Sequence, residues 1–334
     1  MKLLRDYFVG LYAATIDGWN RFWFTPADPA TLGLIRILAG ALLTYTHLVW
    51  SVDLLGFLGP EGRLSLDLMR LHHASPFAWS YLEWISSPAL LWTLHISALI
   101  VLVLFTLGVF TRVTSALAFL ITVSYAHRAV GTLFGLDQIN GLLALYLAIG
   151  PSGAAYSVDR WLGWTSRAGE GKDPHSEESV MANVAIRLLQ VHMCVIYLFA
   201  GAGKLMGPSW WDGSAIWGAL ANYEYQTLDV TWIANYPWMI NLLTHVTVAW
   251  ELSYCALVWP RWTRPIVVAL SVPLHLGIAV CMGMVEFGLA MIIGNVAFVA
   301  PEIVRQVFGE APATPAPPAA AKESVEAPAE VAVG

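Results

Sequence analysis

The chain has 334 residues, of which 57% are hydrophobic and only 12% are charged. A soluble domain carries about 25% charged residues, so this composition excludes an ordinary soluble protein and indicates a polytopic integral membrane protein. The formal net charge is −6 and there is no block of basic residues, so nothing indicates nucleic-acid binding. The cysteines Cys194, Cys255 and Cys281 lie singly in apolar runs, which favours packing roles over a metal site or a disulfide framework.

Residues 1–28 alternate aromatic and aliphatic side chains with charges, which predicts an amphipathic segment in the membrane interface. Eight apolar stretches follow, so we expect an all-α integral membrane protein with a bundle of about eight transmembrane helices. In chain order they are approximately 31–50, 88–110, 113–133, 135–151, 187–211, 237–259, 265–285 and 286–300. The transmembrane domain is therefore expected over residues 29–308. Residues 309–334 are rich in Ala, Pro and Glu and are expected to be disordered.

Three longer polar connections join these stretches, over residues 53–87, 152–180 and 207–236. The first contains the pair His72-His73, which supplies at most two of the roughly four ligands of a usual zinc site. We therefore predict that both histidines are solvated and expect no metal there. The third connection is rich in Trp and Tyr but is not apolar enough to cross a membrane. It is expected to lie at the membrane surface or over a cavity.

Eight spans would place both termini on one side of the membrane, and the basic residues predict which side. Cytoplasmic loops carry an excess of Lys and Arg. With the amino terminus inside, the inner set is Lys2, Arg5, Arg21, Arg112, Arg160, Arg167, Lys172, Arg261, Arg264, Arg305 and Lys322, and the outer set is Arg63 and Arg70. The sequence thus predicts an N-in and C-in topology with residues 152–180 in the cytoplasm and residues 53–87 and 207–236 outside. In a bacterium the membrane would be the inner one.

The fifth apolar stretch carries a polar stripe. Steps of three and four residues place one set of side chains on a single helix face: Arg187, Gln190, Cys194, Tyr197, Gly201 and Lys204. A charged side chain at mid-bilayer costs about 2.5–3.5 kcal/mol on insertion scales, so this stripe should face the protein interior or a water-filled cavity. In the alternative, Lys204 snorkels from the helix end to the interface and Arg187 lies near the opposite interface.

Further polar groups fall within or at the ends of other apolar stretches: Arg36, His95, Arg128, His245, Glu251 and His275. So many ionisable residues predict a buried polar core, because lone charges in lipid are penalised. We assign Arg36, Glu251 and His275 to this core. Glu251 is expected to be buried beside a basic partner, for which the candidates are Arg36, Arg187 and Lys204. A desolvated lysine would serve as a base, whereas a lysine paired with a carboxylate would stay charged, and the sequence leaves both open.

Several blocks of the chain resemble the HTTM family, whose name stands for horizontally transferred transmembrane domain. The blocks are Leu34-Ile35-Arg36-Ile37, GLDQINGLLALYLAIGPSGAAYSVDRW from residue 135, LLQVHMCVIYLFAGAGKLMGPSWWDG from residue 188, WELSYCALVWPRWTRP from residue 250 and LHLGIAVCMGM from residue 274. The resemblance covers about residues 20–305, and the stretch YLFAGAGKL…WWDG is its most specific part.

The family includes the membrane domain of the vitamin K-dependent gamma-carboxylase. In that enzyme the matching block holds a lysine taken to deprotonate vitamin K hydroquinone, and the oxygenated quinol then removes a glutamate γ-proton before CO₂ adds. The resemblance implies that Lys204 is the candidate catalytic base and that a quinol such as reduced vitamin K is the candidate cofactor. The stripe and the aromatic segment after it supply the expected pocket-lining residues, namely Arg187, Gln190, Tyr197, Gly201, Trp210 and Trp211. A flat ring would lie against Gly201 under a roof formed by residues 210–217.

Three features depart from the family pattern. The carboxylase has a large lumenal domain that engages its protein substrate, whereas this sequence continues beyond residue 309 as a short tail. The carboxylase also has a functional histidine just before its equivalent of Gly141-Leu142-Leu143, where this chain reads Leu136-Asp137-Gln138-Ile139-Asn140. His127, about three helical turns earlier, is the substitute candidate. His192 stands where the family usually has glutamine, and the sequence assigns it no role.

Two functions therefore remain open at this point. In the first, the protein is a gamma-carboxylase-like enzyme module with a quinol- or lipid-accessible pocket around Lys204. In the second, it is a non-catalytic membrane protein, either a transporter or the membrane partner of another enzyme. A lysine in a closed pocket with an apolar mouth would favour the first. A path between both faces, or a structural pair of Lys204 with Glu251, would favour the second. The sequence leaves substrate, protein partner and oligomeric state open.

Overall fold

The computed structural model describes residues 2–72, 78–163 and 178–310. Within these ranges the chain is helical, and the only strand-like pairing is an antiparallel bridge between Ala27 and Ser179. His73 of the histidine pair, residues 164–177 of the long polar connection and the tail from residue 311 lie outside the described residues. The expectations that concern them therefore stay predictions.

Fifteen α-helices are defined in this part of the chain and are numbered in chain order. They are α1 Lys2–Phe24, α2 Ala30–Val52, α3 Leu54–Leu58, α4 Leu66–His72, α5 Pro88–Leu107, α6 Thr111–Arg128, α7 Gly135–Ile149, α8 Val158–Trp161, α9 Val180–Lys204, α10 Pro208–Asp212, α11 Ala215–Leu220, α12 Pro237–Leu257, α13 Arg264–Cys281, α14 Val285–Asn295 and α15 Pro301–Val307. Short 3₁₀ turns lie at Tyr81–Trp84, Val130–Thr132, Thr231–Asn235 and Val296–Phe298.

Each of the eight apolar stretches coincides with a helix, but not each helix qualifies as a membrane span. In the described residues, four helices are long and apolar enough to cross: α2, α5, α9 and α13. A fifth span results if the pair Val285–Phe298 and Pro301–Val307, bent by 115°, is counted as one. Helices α6 and α12 are long enough but more polar, and α7 has only 15 residues. The described part of the chain is thus all-helical with four candidate spans, while the count of about eight and the N-in, C-in topology remain predictions.

The long helices form a closed bundle. Consecutive members pack as neighbours from α2 through α5, α6, α7, α9, α12 and α13 to α14, and α14 returns to contact α2 and α7. The apolar core inside this ring includes fully buried Leu32, Phe105, Leu147 and Tyr254. Apolar side chains also cover the outside of the helices, as expected when the surrounding solvent is lipid. Helix α1 buries none of its residues and packs on α9, where the carbonyls of Phe22 and Trp23 in its last turn accept from Asn183.

Two buried arginines fix the connections at opposite ends of the bundle. At the end where α2 begins, Arg36 is fully buried and donates to the carbonyl oxygens of Ser152 at 2.7 Å, Ala155 at 3.2 Å and Tyr156. At the other end, where α6 and α9 finish, Arg128 donates to the carbonyl oxygens of two residues in the α3 region, at 2.5 and 2.7 Å. We call these the Arg36 end and the Lys204 end. Both guanidinium groups replace hydration with carbonyl acceptors, so a buried cation is tolerated.

Candidate functional site

Lys204, the last residue of α9, forms an ion pair with Glu251 of α12. Lys204 Nζ lies 2.9 Å from Oε1 and 2.8 Å from Oε2 of Glu251. The Glu251 side chain is 7% exposed and the Lys204 side chain 24% exposed. The expectation that Glu251 is buried beside a basic partner is confirmed, and the partner is Lys204. Because its ammonium is held by α12, Lys204 does not snorkel alone to the membrane interface.

Gly201, one turn before Lys204, explains how the two helices come this close. A Cβ at this position would lie 3.0 Å from the side chain of Leu252 and 3.2 Å from Cβ of Glu251. The small-residue notch predicted from the sequence therefore exists, but side chains of α12 occupy it. A flat ring could lie against Gly201 only after displacing Leu252.

A buried chain of hydrogen bonds lies next to the ion pair. Tyr254 Oη donates to Oδ1 of Asn295 at 2.7 Å, and Nδ2 of Asn295 donates to Tyr197 Oη at 2.8 Å and to the carbonyl of Met291 at 2.9 Å. Tyr197 Oη in turn lies 2.7 Å from Nε2 of His275. The four linked side chains come from α12, α14, α9 and α13, and none is more than 3% exposed. His275 thus belongs to a buried polar core, as predicted, but through Tyr197.

The direction of this chain follows from the donors. Asn295 donates one amide hydrogen to Met291 and the other to Tyr197, so Tyr197 donates its own hydroxyl proton to His275 Nε2. In that tautomer Nδ1 of His275 carries the proton. Nδ1 is buried and has no hydrogen-bond partner among the described residues.

The aromatic residues after α9 divide between the site and the surface. The Trp210 ring centroid lies 5.3 Å from Lys204 Nζ, a cation–π distance. Trp211 donates its indole N–H to the carbonyl of Leu205 at 2.7 Å, while 66% of the residue is exposed. Of the two tryptophans predicted to line a pocket, Trp210 therefore lies against the lysine, whereas Trp211 is mostly exposed.

The other end of the predicted stripe serves a different purpose. Arg187 donates to Gln190 Oε1 at 2.9 Å and lies 4.5 Å over the Phe22 ring of α1, and Gln190 donates to the carbonyl of Ala297 at 2.7 Å. Lys204 follows Arg187 by seventeen positions, which is about 25 Å along a helix that rises about 1.5 Å per residue. The stripe does face the interior, but Arg187 and Gln190 belong to the Arg36 end and do not meet Lys204. Arg36 likewise binds backbone carbonyls and not Glu251.

A second buried cluster joins α2, α5 and α6. His95 bonds to Tyr125 Oη through Nδ1 at 2.7 Å and to Ser51 Oγ through Nε2 at 2.8 Å. His47 bonds to the carbonyl of Leu43 at 2.8 Å, and its ring lies 4.6 Å from that of Tyr125. Both ring nitrogens of His95 are therefore hydrogen-bonded within the protein, and His95 serves to pack the three helices together.

His127 and His192 lie apart from Lys204, at a cavity of about 570 Å³ between α6 and α7. His127 Nδ1 contacts the backbone of Trp79 at 2.9 Å. A cavity of about 500 Å³ lies between residues 212–217 and the start of α12. Lys204 lines neither cavity. In the described residues, no three His, Cys, Asp or Glu side chains converge as metal ligands would.

Sequence reasoning missed Tyr254 and Trp250, which complete the aromatic surroundings of Tyr197. Their rings lie 4.2 and 4.8 Å from the Tyr197 ring. The available signal was spacing, because Tyr254 follows Glu251 by three residues and so shares its helix face. Asn295 was visible as an amide in an apolar run, but nothing in the sequence connects it to Tyr197.

Apolar helices with an internal polar core define a polytopic α-helical membrane protein. The profile of the HTTM domain matches residues 24–302. The chain therefore belongs to the HTTM family, and the resemblance seen in the sequence is confirmed. No curated protein and no solved structure matches the chain.

Proposed function

We propose that Lys204 and Glu251 are the acid–base pair of a quinol-linked, gamma-carboxylase-like membrane enzyme. The ion pair itself is the observation that carries this proposal, because it couples the lysine of the family's most specific block to a buried proton acceptor 2.8–2.9 Å away. The exposed quarter of Lys204 beside Trp210 leaves the ammonium approachable from outside the bundle. A hydroxyl-bearing ring would be held there by Trp210 and Lys204, and not in the filled notch at Gly201.

The pair determines how Lys204 acts as a base. An ammonium beside a carboxylate is charged at rest, so the lysine must first release a proton. Glu251 is the proton acceptor in contact with it. A site that excludes water disfavours charged groups, so the free-energy difference between the ion pair and a neutral amine with a carboxylic acid becomes smaller. Lys204 then takes a proton from the bound hydroxyl. Reduced vitamin K would supply the subsequent oxygen-dependent chemistry.

The non-catalytic function has an observation of its own. A fixed Lys204–Glu251 pair that ties α9 to α12 is the arrangement expected of a structural role, and Leu252 fills the space where a ligand was expected. In that case the pair holds the bundle together, and the protein works as a transporter or as the membrane partner of another enzyme.

Oxidation of reduced vitamin K by the purified protein in lipid vesicles separates the two functions. Lys204→Arg keeps the charge and can keep the ion pair, but a guanidinium does not release a proton. Glu251→Gln keeps the shape but cannot take the proton. For the enzyme we expect both variants to fold and to lose turnover, while the exposed control Lys2→Arg keeps it. Turnover in Lys204→Arg equal to that of the parent would rule out the base function.

If the parent does not oxidise the quinol, complementation of a deletion strain tests the non-catalytic function. A structural pair then predicts that Lys204→Arg complements fully. It also predicts that Lys204→Met with Glu251→Leu complements better than either single change, because the double variant leaves no uncompensated charge.

A further inference from the structure

The cavity between α6 and α7 has the form of a lipid site. Its α6 wall runs from Phe119 to His127 and its α7 wall from Phe134 to Leu145. At about 1.5 Å per residue these walls are roughly 12 and 17 Å long. With a volume of about 570 Å³, the cavity falls in the range of small-molecule pockets, which is about 300–1,000 Å³.

Polar and apolar groups are separated along this cavity. His127, Asp137 and Gln138 lie at the Lys204 end, where α6 finishes and α7 begins. Beyond them, towards the bilayer interior, the lining is mainly apolar and includes Phe119, Val123, Leu142 and Leu145, while Leu133 and Phe134 border the polar groups at the Lys204 end. This order matches an amphiphile whose head lies near the membrane surface and whose chain runs towards the bilayer interior.

His192 lines the deep end of the cavity. It is the thirteenth residue of the 25-residue helix α9, so it lies in the middle of a candidate membrane span. An imidazole at such depth needs a polar partner, and Nδ1 lies 2.6 Å from Tyr146 Oη of α7. The histidine that the sequence could not explain thus joins α9 to α7 and closes the cavity with a hydrogen-bonded pair.

The charges around the head region exclude an anionic head. Asp137 accepts from the backbone N–H of Phe134 at 3.0 Å, and Glu286 of α14 is close enough to interact with it electrostatically. Among the described residues, no lysine or arginine lines the cavity. Arg128, which follows His127 at the end of α6, is 1% exposed and donates to carbonyl oxygens elsewhere. A phosphate would therefore meet carboxylates and find no cation.

We propose that this cavity binds a neutral glycerolipid of the diacylglycerol class. Its hydroxyl and ester oxygens would bond to Gln138, and an acyl chain would follow the apolar wall towards His192. This site is separate from Lys204 and does not depend on the enzyme function proposed for that residue.

Photo-crosslinking of the full-length protein in phosphatidylcholine vesicles tests the site. The probe is a diacylglycerol with a diazirine in one acyl chain, and phosphatidylglycerol with the same chain is the anionic comparison. We expect the diacylglycerol to label residues 119–145, and the phosphatidylglycerol to label them about tenfold less, which corresponds to roughly 1.4 kcal/mol of like-charge repulsion. Equal labelling by both lipids, or labelling spread evenly over all lipid-facing helices, would overturn the proposal.

Glycine-to-tryptophan variants provide a matched pair. A Cβ at Gly141 or at Gly277 of α13 would meet no atom within 4 Å, but only Gly141 lines the cavity. Gly141→Trp should abolish labelling of residues 119–145, and Gly277→Trp should leave it unchanged. Equal labelling in the two variants would also overturn the site. Should Gly141→Trp not fold, Asp137→Asn replaces it: labelling by phosphatidylglycerol should rise towards that of diacylglycerol, and no rise would contradict the charge argument.

Discussion

Removing either partner of the Lys204–Glu251 pair should destabilise the protein, but by unequal amounts. Lys204→Met leaves a carboxylate whose side chain is only 7% exposed. Such a group is tolerated mainly when protonated, and protonation at pH 7 of a group with an ordinary pKa of about 4.3 costs about 1.4 kcal/mol per pH unit, or roughly 3.7 kcal/mol. Glu251→Gln leaves an ammonium that is 24% exposed and retains an amide oxygen acceptor, so its cost should be about 1–2 kcal/mol.

The pH dependence distinguishes this explanation from a general packing defect. In Lys204→Met the native state binds a proton that the unfolded state does not hold at pH 7, so the free energy of unfolding falls as pH rises. At pH 5 the cost should shrink to about 1 kcal/mol. Unfolding of parent and variants in one detergent, followed by fluorescence at pH 5 and pH 7, measures this. The reasoning would be refuted if Lys204→Met lost less unfolding free energy at pH 7 than Glu251→Gln, or if it lost the same amount at pH 5 and at pH 7.

Three further predictions concern stability and topology. Arg36→Lys should destabilise the protein by about 2–4 kcal/mol in the same unfolding assay, because a single ammonium nitrogen cannot reach the carbonyls that lie around both terminal nitrogens of the planar guanidinium; stability equal to the parent would contradict this. Tyr254→Phe should cost about 1–3 kcal/mol by leaving a buried amide oxygen without its donor, whereas Tyr223→Phe, at a residue that is 91% exposed, should cost nothing measurable. An impermeant thiol reagent on intact cells should label Ser209→Cys and not Ser176→Cys, and the reverse would invert the predicted topology.

Helix periodicity was sufficient to predict the interior face of α9. The 3.6-residue repeat places Gln190, Cys194, Tyr197 and Gly201 on one side, and all four are buried. The burial of Glu251 followed from the cost of an unpaired charge in lipid. Both inferences work because they depend on local geometry and on the solvent, which the sequence specifies directly.

The pairing of Glu251 could not be derived in the same way. Its partner depends on the tilt and axial offset of α9 against α12, and residue spacing contains neither. Arg36 shows the same limit, because its partners are backbone carbonyls of residues 152–156. Every residue has such a carbonyl, so the residue types do not identify the acceptors. Gly201 indicated a close approach, but only the fold determines that Leu252 fills the gap.

Infrared difference spectroscopy on the protein in lipid vesicles tests the acid–base function of the pair most directly. On addition of reduced vitamin K, Glu251 should take the proton that Lys204 gives up, and the C=O stretch of a protonated carboxylic acid should appear. The band should be missing in Glu251→Gln and in Lys204→Arg. A parent protein that oxidises the quinol without this band, or a band that persists in Glu251→Gln, would contradict proton transfer within the pair.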